Sequence, residues 1–127
     1  MKNILKAILG LFALSSLSHA DTTMLQPVPF ETVKPLIGTK PLMLEFGSTS
    51  CHSCQVMGRL LYQIKAKNPQ SNIYFIDIYK DMDAAKAYGV VMIPTQVYLD
   101  GNRSVVEKHI GTIEEEELAA KLKKMGI

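Results

Sequence analysis

The sequence predicts an α/β fold, with a mixed central sheet flanked by helices on both faces. Two features of the 127-residue chain carry that prediction. Helix-like and strand-like stretches alternate through the first half, the pattern of parallel strands joined by crossovers. A hairpin signal follows in the second half and adds antiparallel pairing. A third feature locates the chemistry. Both cysteines lie in Cys51-His52-Ser53-Cys54, where the first strong strand turns into a helix, and the carboxyl end of a strand is where open α/β sheets place their sites.

Residues 1–20 stand apart. Lys2 and Lys6 give a positive start, residues 7–14 form an apolar run, and the polar stretch after it ends Ser18-His19-Ala20. That is the three-part pattern of a secretory signal peptide cut after Ala20. The run is well short of the ~20 residues a spanning helix needs, and no cysteine follows it to carry a lipid. The expectation is an exported, periplasmic protein whose residues 21–127 form one domain and act as a monomer. Cleavage removes two of the 14 Lys and Arg and none of the 12 Asp and Glu, so the remainder is neutral. No basic patch points to nucleic acid, and no basic amphipathic helix points to a membrane surface.

The elements follow in order. After a Pro-bearing lead-in, a short helix is expected over residues 30–37, interrupted by Pro35. Residues 41–46 are an apolar run holding one acid, Glu45, and read as a buried strand. Val56, Leu60, Leu61 and Ile64 recur at three- and four-residue spacing, so an amphipathic helix runs from about Cys51 to Lys67 and stops at Asn68-Pro69. Residues 72–78 are aromatic and β-branched, a second buried strand. A short helix over 81–88 closes on Gly89. Strands at 96–99 and 104–106 flank Asp100-Gly101-Asn102, the hairpin signal. Thr112, with Glu115 three residues on, reads as a capping box. The last helix carries Leu118 and Leu122 and ends near Gly126.

The helix start lowers the pKa expected of Cys51, because unpaired N–H groups and the macrodipole stabilise a thiolate there. Cys54, one turn in, is expected to be more buried and protonated. Their spacing brings both sulfurs to one face, so Cys51 can exchange with a partner disulfide and Cys54 can resolve the product. His52, when protonated, would further stabilise the thiolate and push the couple toward oxidation. Haem attachment fails because Gln55, not histidine, follows Cys54. Structural zinc lacks ligands, since His19 and His109 are the other histidines. A disulfide serving structure alone would close a tiny loop and stabilise little. Copper(I) on Cys51 and Cys54, with His52 or Met57, stays open. Redox exchange, needing no cofactor beyond the dithiol, leads.

The chain resembles the thioredoxin family over nearly all of residues 21–127. The likeness lies in the strand before Cys51-His52-Ser53-Cys54, in Tyr88-Gly89-Val90, in Ile93-Pro94-Thr95, and in Asp100-Gly101 followed by Gly111 and a last helix. The resemblance implies a thioredoxin-like fold and a cis Ile93–Pro94 bond. It also implies a substrate-binding loop of Ile93, Pro94 and Thr95 lying against the cysteine pair. It makes Glu45 the buried acid that relays a proton for Cys54. The chain departs from the family's pattern in Ser50 before the first cysteine, in the absence of Trp, in His52-Ser53 between the cysteines, and in Phe75 where a lysine often faces the acid. Size and Ile93 before Pro94 imply a reductase of exported proteins fed by a membrane thiol electron carrier. A disulfide-forming oxidase and a copper(I)-binding module are the alternatives.

Overall fold

The computed structural model describes residues 22–127, so the expected signal peptide, residues 1–20, lies outside the described residues. The order is α1 (Phe30–Val33), a 3-10 turn (Lys34–Leu36), β1 (Leu42–Gly47), α2 (His52–Lys67), β2 (Ile73–Asp77), α3 (Met82–Ala87), β3 (Thr95–Leu99), β4 (Val105–Ile110) and α4 (Glu115–Met125). The strands form one mixed sheet in the order β2-β1-β3-β4. β1 and β2 run parallel, with Glu45 opposite Phe75. β3 runs antiparallel to β1 and β4, with Thr95 opposite Phe46 and Gln96 opposite Glu45.

Successive side chains of β1 serve opposite faces, as the pleat requires. Leu42, Leu44 and Phe46 join Ile76, Val97 and Leu99 against Val33, Ile37 and the Ala84-Ala85 pair of α3. Met43 joins Ile73 and Tyr98 on the other face, against Met57 and Leu61 of α2 and Leu118 and Leu122 of α4. Full burial of each such side chain is worth about 1.5–3 kcal/mol. The body of α2 is therefore anchored, and its first turn is held over the end of β1.

Two expectations at the C-terminal side need correction. Thr112 does not cap α4, which starts at Glu115 with Glu114 extended at the N-cap and no side-chain cap bond. Ile113 is drawn into the core beside α2 and α4, and the Thr112 carbonyl is bonded by the His109 ring at 2.9 Å. Together these delay the first turn, whose Glu115, Glu116 and Glu117 then face the positive end of the helix. Gly126 closes the helix in the left-handed region, at φ 73°.

β4 runs on to Ile110, beyond the expected 104–106. It is an edge strand with nearly all its side chains exposed, so no apolar alternation marks its extent. At its turn, Asp100 Oδ1 accepts from the N–H groups of Asn102 (2.8 Å) and Ser104 (3.0 Å). The left-handed position there falls on Arg103, at φ 71°, rather than on Gly101.

Candidate active site

β1 ends at Gly47, and a three-residue crossing, 48–50, leads to α2. Ser48 is buried, and its Oγ accepts from the Ser50 N–H at 3.2 Å and lies 2.9 Å from Ser50 Oγ. The crossing delivers Cys51 to the N-cap of α2 in an extended conformation (φ −89°, ψ 125°). There its Sγ accepts from the Cys54 N–H at 3.4 Å and sits 3.4 Å from the Ser53 hydroxyl. Burial by itself raises the Cys51 pKa. Hydrogen bonds from Cys54 and Ser53, side chain and backbone, outweigh it, and the net shift is downward. His52 is exposed at the first helical position, and the donors that lower Cys51 come from Ser53 and Cys54.

Cys54 is the opposite case. It is fully buried, and its thiol is pushed up to about 12, first by burial, then by the hydrogen bond to Cys51, with the charges of Cys51 and Glu45 adding to the rise. A backbone hydrogen bond from Ser48 works the other way. Both thiols are free in this structure. The pair thus consists of a solvent-reaching sulfur biased toward thiolate and a buried one biased toward thiol.

Gly47 makes room for this arrangement. A Cβ there would stand 3.0 Å from Phe75 Cζ and 3.1 Å from Cys54 Sγ. Gly47→Ala is expected to destabilise the fold by about 1–3 kcal/mol and to push Cys54 outward. Denaturant melts and the alkylation rate of Cys54 in a Cys51→Ser background measure the two effects. Unchanged values for both would show that the packing around Cys54 is looser than its burial implies.

Glu45 lies on the same face of β1 as Gly47, fully buried. Burial pushes its carboxyl up to about 8, against the lowering effect of a hydrogen bond from Gln96. Gln96 Nε2 donates to Glu45 Oε1 at 3.2 Å and to the Gly111 carbonyl at 3.1 Å. Glu45 Oε2 and Gln96 Oε1 are buried with no hydrogen-bond partner among the described residues. Gln96 escaped the sequence reading. Its one signal there is an amide inside an otherwise apolar strand.

The Ile93–Pro94 bond is cis. Pro94 and Thr95 are buried and Ile93 is half-buried. Thr95 Oγ1 donates to the Met92 carbonyl at 2.5 Å, and the Gly111 N–H donates to the Pro94 carbonyl at 2.8 Å. Because Thr95 pairs with Phe46, this loop and the cysteine turn meet at the same end of the sheet. The structure therefore puts Cys51, Ser53 and Cys54 in direct contact. Glu45 stands within electrostatic reach of Cys54, the 93–95 loop lies alongside, and His52 remains outside the hydrogen-bonded cluster. Among the described residues no group of three or more His, Cys, Asp or Glu is placed to hold a metal, and no helix is long and apolar enough to cross a membrane.

A half-buried, solvent-reaching thiol of lowered pKa backed by a buried thiol one helical turn away defines a dithiol site of the thiol–disulfide exchange class. The family model described as thioredoxin matches residues 27–124. The chain belongs to the thioredoxin family. It is 31% identical over 86 residues to the mitochondrial thioredoxin of Bos taurus, a match covering 67% of this chain and 51% of that protein. The mitochondrial thioredoxin of Mus musculus matches equally, at 31% over 86 residues, with the same coverage of 67% and 51%. The chain thus spans about half the length of these relatives. Among solved structures, a mutant thioredoxin of Halobacterium salinarum superposes with a TM-score of 0.67 at 20% identity, covering 80% of this chain and 88% of that one. A thioredoxin of Nicotiana alata gives 0.62 at 28% identity, covering 76% and 80%.

Proposed function

We propose that the protein is a thiol–disulfide oxidoreductase that works outside the cytosol and reduces disulfides in exported proteins. The observation that carries this reading is the split between the two thiols, Cys51 shifted down and Cys54 pushed up to about 12. In the reducing direction the Cys51 thiolate attacks one sulfur of a substrate disulfide. That S–S bond breaks, one substrate sulfur leaves as thiolate, and a Cys51–substrate mixed disulfide forms. Cys54 then gives its proton to the Glu45 carboxylate and attacks Cys51, releasing the second substrate thiolate. Two electrons have passed to the substrate, and the protein holds a Cys51–Cys54 disulfide for a membrane dithiol carrier to reduce.

The proton step becomes easier once Cys51 is bonded to a substrate sulfur, although burial, the largest cause of the raised Cys54 pKa, remains. The hydrogen bond and the charge of Cys51 both raise Cys54, and both vanish once Cys51 is bonded to a substrate sulfur. Val91 (91% exposed) and Met92 (61% exposed) stand beside Pro94 as an apolar surface for an unfolded or extended partner chain.

The lowered Cys51 pKa favours a second reading, a disulfide-forming oxidase, because a stable thiolate is also a good leaving group. The reduction potential of the Cys51–Cys54 couple separates the two. A value near about −270 mV is expected for the reductase, and one near about −120 mV would give the oxidase reading. His52→Ala run alongside should make the couple more reducing if the imidazolium contributes.

A further inference from the structure

Gln96 sits in β3, inside the sheet, with no solvent exposure. A buried primary amide is costly unless its hydrogens are bonded, and both hydrogens of Gln96 are, one to Gly111 O and one to Glu45 Oε1. The Gly111 carbonyl can only accept. It therefore fixes the amide's orientation, since a reversed amide would set its oxygen against the Gly111 carbonyl oxygen. Gly111 is in turn bound through its own N–H to the Pro94 carbonyl. A continuous line of contacts runs from the substrate loop through Gly111 and Gln96 to the buried carboxyl.

We propose that Gln96 is a positioning residue for Glu45: locked by Gly111, it aims a fixed N–H at the carboxyl and favours its charged form where no cation among the described residues does so. Across the sheet on the other side, β2 offers only the ring of Phe75 at the Glu45 register position. The titratable groups facing the carboxyl are Cys54 from α2 and Tyr98 further along β3, both of which feel its charge. β4 presents His109 opposite Gln96, with its ring bonded to Thr112 O. From α4, Lys121 lies over the Tyr98 ring and pairs with Glu107. The Gln96 hydrogen bond lowers the Glu45 pKa against the effect of burial, in keeping with this role.

The consequence for turnover rests on Glu45 acting as the proton acceptor proposed above; the positioning itself does not. The test is NMR of the reduced full chain across pH, following the Glu45 carboxyl carbon and the Gln96 side-chain NH2 signals. In the unmodified protein the Gln96 amide protons are expected to shift in step with the Glu45 titration. In Gln96→Met, which keeps the length and loses both donors, the Glu45 midpoint is expected to rise by about one pH unit, tenfold in its ionisation constant. The pH at which mixed-disulfide resolution accelerates should rise with it, with KM unchanged. A Gln96 amide that ignores the Glu45 titration overturns the proposal, and that measurement stands even if Gln96→Met fails to fold. An unmoved Glu45 midpoint in folded Gln96→Met overturns it too. A moved midpoint with an unmoved rate profile upholds the positioning and instead removes Glu45 from the exchange reaction.

Discussion

Cys51→Ser is expected to abolish disulfide reduction, a loss on the order of a thousandfold or more, while Cys54→Ser is expected to attack once and stop. The asymmetry follows from where the helix starts. Cys51 caps α2 and reaches solvent, so of the two it is the one open to a partner sulfur, and its bonds from Ser53 and Cys54 favour the thiolate. A serine in its place is not a nucleophile at neutral pH, and Cys54 behind it is buried and protonated. Without Cys54, the mixed disulfide on Cys51 has no internal thiol to resolve it and should accumulate as a covalent adduct on non-reducing gels. Iodoacetamide kinetics add a second check. Cys51 should reach its full reactivity at a pH below that of an ordinary thiol, and Ser53→Ala should raise that pH. If Cys54→Ser turned over like the unmodified protein, the assignment of roles within the pair would be wrong.

Glu45→Gln is expected to stabilise the fold and impair turnover together. The folded-state pKa of Glu45, about 8, stands above the unfolded value near 4.5. The native state therefore holds this proton more tightly than the unfolded chain. The associated stability is fully present below pH 4.5 and is lost as pH rises through 8. By pH 8 the burial of this ionisable group costs on the order of 3–5 kcal/mol. A glutamine keeps the shape, cannot ionise and escapes that cost. Urea melts should show the variant matching the parent at pH 4 and exceeding it by several kcal/mol at pH 8. Resolution of the mixed disulfide should meanwhile slow on the order of a hundredfold, the usual contribution of a positioned base. Equal stability at both pH values would mean that water reaches the carboxyl.

The architecture was legible where periodicity is strong. β1 is one apolar run and α2 a clear amphipathic repeat, and the strand-to-helix junction at Cys51 followed from those two segments alone. The buried state of Glu45 was legible through the resemblance and because a lone acid in an apolar run has nowhere else to go. Gln96 was not, because its meaning depends on antiparallel register: only when β3 is laid beside β1 does an amide come to face the acid. The extent of β4 was hidden for a related reason, since an exposed edge strand is held by backbone pairing that leaves no apolar pattern. Thr112 misled because a local capping signal was overruled by a distant demand, the burial of Ile113.

The burial pattern along α2 has a consequence for how this site can diverge. Cys54, Met57, Gly58 and Leu61 are committed to the interior, whereas His52 is exposed and Ser53 only half-buried. The two positions between the cysteines thus carry almost no folding load. Mutation can sample many side chains there and adjust the driving force of electron transfer while the scaffold stays intact. A lineage can therefore change what it donates electrons to, or accepts them from, without passing through unstable intermediates.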